Sequence, residues 1–195
     1  MLPSETMIWQ PEFTDKTLSR KIGAVHPVNT ATVGQLQNHC LTALSQGATE
    51  LNIHISSQGG ETAAGFTAYN FLKSLPVTVR THNISNVESI ANIVFLAGSE
   101  RFANPLSRFL LHPLLWCFAS PAADHARLRE YGKCLDNDLD RFVETFNIDI
   151  GTHIRWASLI ADSTILDANK ALEHGIINSI KTARLASNQA NWWVV

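Results

Sequence analysis

Cysteine is scarce in this sequence, with three in 195 residues. Cys40, Cys117 and Cys134 are far apart, odd in number and form no Cys-x-x-Cys pair. That argues against a disulfide framework or a zinc-ribbon site and for a reducing compartment. Charge is sparse too: 16% of residues are charged and the net charge is −2. Without a basic stripe there is nothing to hold a phosphate backbone, so nucleic acid is excluded as the expected partner. No uninterrupted apolar run reaches the length of a membrane span, because His112 and Pro113 break the best candidate. The first residues, Met1-Leu2-Pro3-Ser4-Glu5-Thr6, lack the basic start and apolar core of a secretory leader. Internal repeats and low-complexity tracts are absent as well. The expectation is a cytoplasmic protein with no membrane partner.

What is present is a globular composition, 45% hydrophobic, in a chain long enough for one domain with a substantial core. A surface this poor in charge favours an oligomer that hides part of it. Residues 1–20 are mixed, contain two prolines and read as an N-terminal arm. Residues 21–28 suggest a first strand. Val33, Leu36, Cys40, Leu41 and Leu44 fall at helical spacing within residues 31–45, closed by Gly47. Leu51-Asn52-Ile53-His54-Ile55 alternates as a strand, and residues 61–75 follow as a helix that Pro76 stops. Val77-Thr78-Val79-Arg80-Thr81-His82 is a half-buried strand, and residues 101–103 and 108–111 are two more. Ser120-Pro121 predicts the start of a long helix reaching about Phe146. Its seam of Leu128, Leu135, Leu139, Phe142 and Phe146 wants a partner helix. Asp167 caps a short helix ended by Gly175, and residues 176–180 are a last strand. The tail, Asn191-Trp192-Trp193-Val194-Val195, is too apolar to hang free and should dock. Strands alternating with helices define an α/β domain.

Three features carry possible chemistry. Ser89 sits where a strand hands over to the apolar helical run that Gly98 ends. A hydroxyl on such a turn stands beside the unbonded N–H groups of a first helical turn, which suits a nucleophile. The same placement makes an ordinary helix N-cap. Gly59-Gly60 lies between a strand and a helix, where glycine lets backbone approach a ligand closely; an ordinary turn looks the same. His112 ends a strand at a proline break. A serine hydrolase needs a histidine to take the serine proton, a carboxylate to orient it, and N–H groups to meet the oxyanion. Spacing leaves open whether these residues converge.

Four segments in order resemble the Clp protease proteolytic subunit family. Ser57-Gln58-Gly59-Gly60-Glu61-Thr62-Ala63-Ala64-Gly65-Phe66-Thr67-Ala68-Tyr69 is similar to its Ser-Pro-Gly-Gly…Ala-Gly…Tyr segment. The Ser89 turn and its helix look like its nucleophile segment. Residues 104–113, from Asn104-Pro105 to His112-Pro113, resemble its Pro-Asn-Ser-Arg…His-Gln-Pro. Residues 165–177, from Ile165-Leu166-Asp167 to Gly175-Ile176-Ile177, resemble its Phe-Leu-Ser-Ala…Glu-Ala…Tyr-Gly-Leu-Val. The resemblance implies a crotonase-like fold of stacked β-β-α units, with the helix at 121–146 as the protruding handle through which two rings meet. It implies a serine endopeptidase that cuts peptides or unfolded proteins inside a ring-shaped homo-oligomer. Ser89 would be the nucleophile, His112 the general base, and the N–H groups of Gly60 and Ile90 the oxyanion donors. No metal or organic cofactor is implied.

This sequence departs from the family in places. The family's aspartate lies two residues before its Phe-Leu pair, which falls here on Ser163; Asp162, one residue earlier, is the expected third member. Glu88 replaces a small residue beside the nucleophile and is expected to point outward. The N-terminal part is shorter than the family's, whose N-terminus engages an ATP-driven unfoldase of the AAA+ class, and this stands against such a partner. Two rivals follow: a catalytically silent ring or scaffold subunit, and an acyl-CoA enzyme of the related crotonase fold.

Overall fold

The computed structural model describes residues 5–9, 26–117, 122–185 and 190–194. Its sheet is built around two adjacent parallel strands, β2 (Glu50–Ser57) and β3 (Thr78–Glu88). On β2 the alternate residues Leu51, Ile53 and Ile55 put buried apolar side chains on one face, at the period of two of a strand, while His54 and Ser56 on the other face are buried as well. Beyond β2 lie β1 (Glu5–Trp9) and, at the sheet edge, β8 (Asn191–Trp193), both parallel to their neighbours. Residues 5–9 of the stretch read as an arm are therefore an interior strand, paired on both sides. The docked tail is the strand beside it, with Trp192 stacked on His39 at 5.4 Å between ring centroids and Val194 buried.

On its other side β3 forks. Its first half pairs with β4 (Glu100–Ala103), which continues to β7 (Ser179–Ile180). Its second half pairs with β5 (Arg108–Leu110), and β5 takes β6 (Ile165–Asp167) in the one antiparallel pairing among the described strands. The forked strand splits the sheet into two layers that share β3. The predicted strand at residues 21–28 reduces, within the described residues, to a bridge from Val28 to Gly60.

Helices α1 (Thr30–Ser45) and α2 (Thr62–Ser74) pack on the core face of the sheet. Helix α3 (Ala91–Leu96) is buried on every side, as a helix that is apolar all round except at Asn92 requires. Gly65 lets α2 approach the start of α3, since a Cβ there would lie 2.2 Å from Ile90 Cγ1. Helix α4 (His125–Asp149) runs 25 residues, about 37 Å at 1.5 Å per residue. It buries only Phe142, Thr145 and Phe146, close to its C-terminal end, so its N-terminal half projects from the body. It starts at Asp124, whose carboxylate accepts from Arg127 N–H at 2.8 Å; Ser120 and Pro121, the predicted start, lie outside the described residues. Helices α5 (Trp156–Ala161) and α6 (Ala168–Glu173) complete the fold. No described helix is long and apolar enough to cross a membrane.

Candidate active site

Three neighbouring parallel strands, β2, β3 and β5, end at the same side of the sheet, and each releases one of the predicted features there. Gly59-Gly60 follows β2, Ser89 follows β3, and Leu111-His112 follows β5. The antiparallel β6 begins at that side, preceded by Asp162 and Ser163. Ligands of parallel α/β sheets bind outside the carboxyl ends of the strands.

Ser89 has φ 53. A left-handed backbone is strained for a residue with a side chain, and such strain gathers at functional turns. The turn is held by Ser89 N–H donating to Leu110 O at 3.0 Å, and by Asn92 Nδ2 donating to both Ser89 O and Leu110 O at 2.9 Å. Ser89 itself is half-buried. Gly59, at φ 92, lies against this turn: a Cβ on it would fall 2.6 Å from Ser89 Cβ and 3.3 Å from Ile90 N. Val28 donates to Gly59 O at 2.8 Å and accepts from Glu61 N–H at 2.7 Å. In a parallel bridge of this kind the middle residue, Gly60, turns its own N–H away from the partner strand. Neither Gly60 N–H nor Ile90 N–H donates to a described residue. Among the described residues, two backbone donors therefore stand beside the Ser89 turn without an acceptor.

His112 is half-buried and its Nδ1 lies 2.8 Å from Pro113 O. A carbonyl can only accept, so Nδ1 carries a proton, and in the neutral ring the lone pair then falls on Nε2. This is the tautomer a general base needs, and a backbone carbonyl sets it rather than a carboxylate. No hydrogen bond joins His112 to Ser89, and none joins it to Asp162. Asp162 is exposed at the C-terminal end of α5. The β5–β6 ladder extends to Leu111 N–H on Thr164 O at 3.0 Å, and one step further it reaches Ser163, not Asp162. Ser163 is itself at φ 52, so the chain turns sharply where the acid was expected.

Glu88 does not point outward as expected. It is buried, and its Oε1 accepts from Arg108 at 2.9 Å and from Asn86 Nδ2 at 3.1 Å. The pairing with Arg108 compensates its negative charge. Cys40, a buried thiol on α1, is pushed up to about 12 by burial and is held as the neutral thiol. A cavity of about 250 Å³ beginning at Pro113, the residue after His112, is lined by Pro113, Leu114, Leu135, Asp136, Leu139 and Ile160. It suits an apolar side chain.

Sequence reasoning missed Asn92 and the carbonyl of Pro113. Asn92 had a signal, being the polar residue inside the run Ile90-Ala91-Asn92-Ile93-Val94-Phe95-Leu96. The carbonyl had none, since a backbone group leaves no mark in a sequence.

The forked, layered sheet with a projecting helix is the ClpP/crotonase-like α/β fold. The solved structure of ClpP1 from Listeria monocytogenes superposes with a TM-score of 0.70 over 92% of each chain, at 21% identity. The Clp protease family pattern matches residues 4–184, and the chain belongs to that family. Curated relatives include two ATP-dependent Clp protease proteolytic subunits 2. The one from Treponema denticola is 26% identical over 170 residues, 85% of this chain and 84% of its own length. The one from Borreliella burgdorferi is 36% identical over 74 residues, a stretch covering 37% of each chain.

Proposed function

We propose that this chain is a serine endopeptidase of the cytoplasm, acting on peptides or unfolded proteins within a ring-shaped homo-oligomer. The observation that carries the reading is the Ser89 turn: a left-handed serine, packed by Gly59, between two backbone N–H groups without an acceptor. Ser89 Oγ attacks the scissile carbonyl carbon as His112 Nε2 takes its proton. The N–H groups of Gly60 and Ile90 meet the oxyanion. Removing one such donor typically costs roughly 100-fold in turnover. Collapse of the tetrahedral species breaks the C–N bond, and Nε2 returns the proton to the leaving amine. Water, activated by the same imidazole, then hydrolyses the acyl-Ser89 ester.

Pro113 O holds the imidazole in the resting chain, and Asp162 is the proposed acid if the turn at residues 162–163 swings toward His112. Helix α4, with Leu128 exposed on its projecting half, offers its seam to another subunit. The second reading, a silent ring subunit, is favoured by the missing bonds between Ser89, His112 and Asp162. A fluorophosphonate probe read by mass spectrometry separates the two. Labelling of Ser89, abolished in Ser89→Ala, is the expected result. Loss of labelling in Asp162→Ala assigns the acid, and retention leaves Pro113 O as the orienting group. An assembled wild type that takes no label overturns the peptidase reading.

A further inference from the structure

Asn92 is 1% exposed and lies in the first turn of the apolar helix α3, among residues that are otherwise hydrophobic. Burying a primary amide is unfavourable unless its hydrogen bonds are made. Both of its N–H bonds are directed to one place: Nδ2 donates at 2.9 Å to Ser89 O and at 2.9 Å to Leu110 O. Each of those carbonyls also takes a backbone donor, Asn92 N–H at 3.0 Å and Ser89 N–H at 3.0 Å respectively. The helix and the strand end are thus already tied without the side chain. What the side chain adds is a crosslink between the nucleophile turn and the end of β5, two residues before His112. Its own Oδ1 is buried without a partner, so the group is retained at a cost.

We propose that Asn92 is a positioning residue, which fixes Ser89 relative to His112 by bridging Ser89 O and Leu110 O. The inference rests on the peptidase reading of Ser89. A serine at φ 53 can relax toward an ordinary backbone conformation, and relaxation would carry Oγ away from the imidazole. Because no direct bond joins Ser89 to His112, their spacing depends on what connects their backbones.

The test compares wild type with Asn92→Leu and Asn92→Asp, using a fluorogenic peptide and the fluorophosphonate probe. Asn92→Leu keeps the volume and both backbone bonds and deletes the bridge. It should keep thermal unfolding and assembly close to wild type and leave KM within about threefold. It should lower kcat, and with it the labelling rate of Ser89, on the order of 10- to 100-fold, the range that a misplacement of about 1 Å costs. Asn92→Asp faces two carbonyl oxygens with an acceptor. It regains one donor only when protonated, so its activity relative to wild type should rise as pH falls, a profile that Asn92→Leu lacks.

Unchanged kcat in a folded Asn92→Leu, or equal losses in both variants at every pH, would overturn the proposal. Should Asn92→Leu fail to fold, the pH profile of Asn92→Asp decides by itself. A wild type that takes no label removes the peptidase reading and this inference together. A wild type that labels while the variants label equally fast removes this inference alone.

Discussion

At the scale of single residues, the site is organised by backbone conformation more than by side chains. Gly59 is the clearest case, because φ 92 and the 2.6 Å approach to Ser89 Cβ exclude a side chain on both counts. Gly59→Ala should cost about 1–3 kcal/mol in urea unfolding and suppress Ser89 labelling further than that loss explains, since the clash falls on the nucleophile turn. Labelling that tracks the folded fraction alone would count against this packing. Glu88 gives a second expectation. Arg108→Ala would leave a buried carboxylate without its cation; with Arg108 half-exposed, the cost should be about 1–2 kcal/mol, and Glu88→Gln in the same chain should recover most of it. The placement of Ser89, Gly60 and His112 at neighbouring strand ends could be read from the sequence because each stands at a strand-to-turn junction marked by glycine, proline or a change of period. The carbonyl that His112 bonds could not. Asp162 rests on counting residues, whereas the ladder through Thr164 depends on pairing across more than fifty residues of intervening chain.

At the scale of elements, the amphipathic helices and the alternating strands were legible because their burial is written in their own periods. The interior strand β1 was not: its residues carry no strong alternation, and it is a strand because β2 and β8 offer it two ladders. The start of α4 was misplaced for a related reason. Ser-Pro is a good opening by local chemistry, yet the cap lies further on at Asp124. Asp124→Ala should cost about 1 kcal/mol and increase hydrogen exchange in the first turn of α4. Because that turn projects from the body, the rate of Ser89 labelling should stay unchanged; a parallel fall would mean that the tip of α4 is coupled to the site. At its other end the helix is anchored. Asp149 accepts from Tyr69 Oη at 2.8 Å and pairs with Lys73 at 2.6 Å, and Arg101 donates to the Asp149 carbonyl at 3.3 Å.

At the scale of the whole molecule, the second face of the sheet, opposite Leu51, Ile53 and Ile55, sets a pH dependence. Along the register His54↔His82↔Phe102 the side chains line up across β2, β3 and β4. The chain after β7 closes over them: Lys181 places its ammonium on the Phe102 ring and its carbonyl 2.9 Å from His82 Nε2, while Ala183 N–H donates to Asn104 Oδ1. With Asn104 Oδ1 also 3.0 Å from Nε2, both oxygens accept, so that nitrogen carries the proton of a neutral imidazole. Burial holds His54 down to about 4, helped by the neighbouring His82, and burial likewise lowers His82. In the unfolded chain both return to about 6.5, so between roughly pH 6.5 and 4 the unfolded state binds more protons and stability rises with pH. The contribution is complete above pH 6.5 and is lost as pH falls toward 4. For His54 alone it amounts to on the order of 3 kcal/mol, at 1.36 kcal/mol per pKa unit. The urea midpoint should therefore fall steadily from pH 6.5 to 4. His54→Leu, which keeps the site apolar and removes the titrating group, should flatten that slope while leaving Ser89 labelling at pH 7.5 unaltered. A slope unchanged in His54→Leu would overturn this assignment of the acid sensitivity to the second face of the sheet.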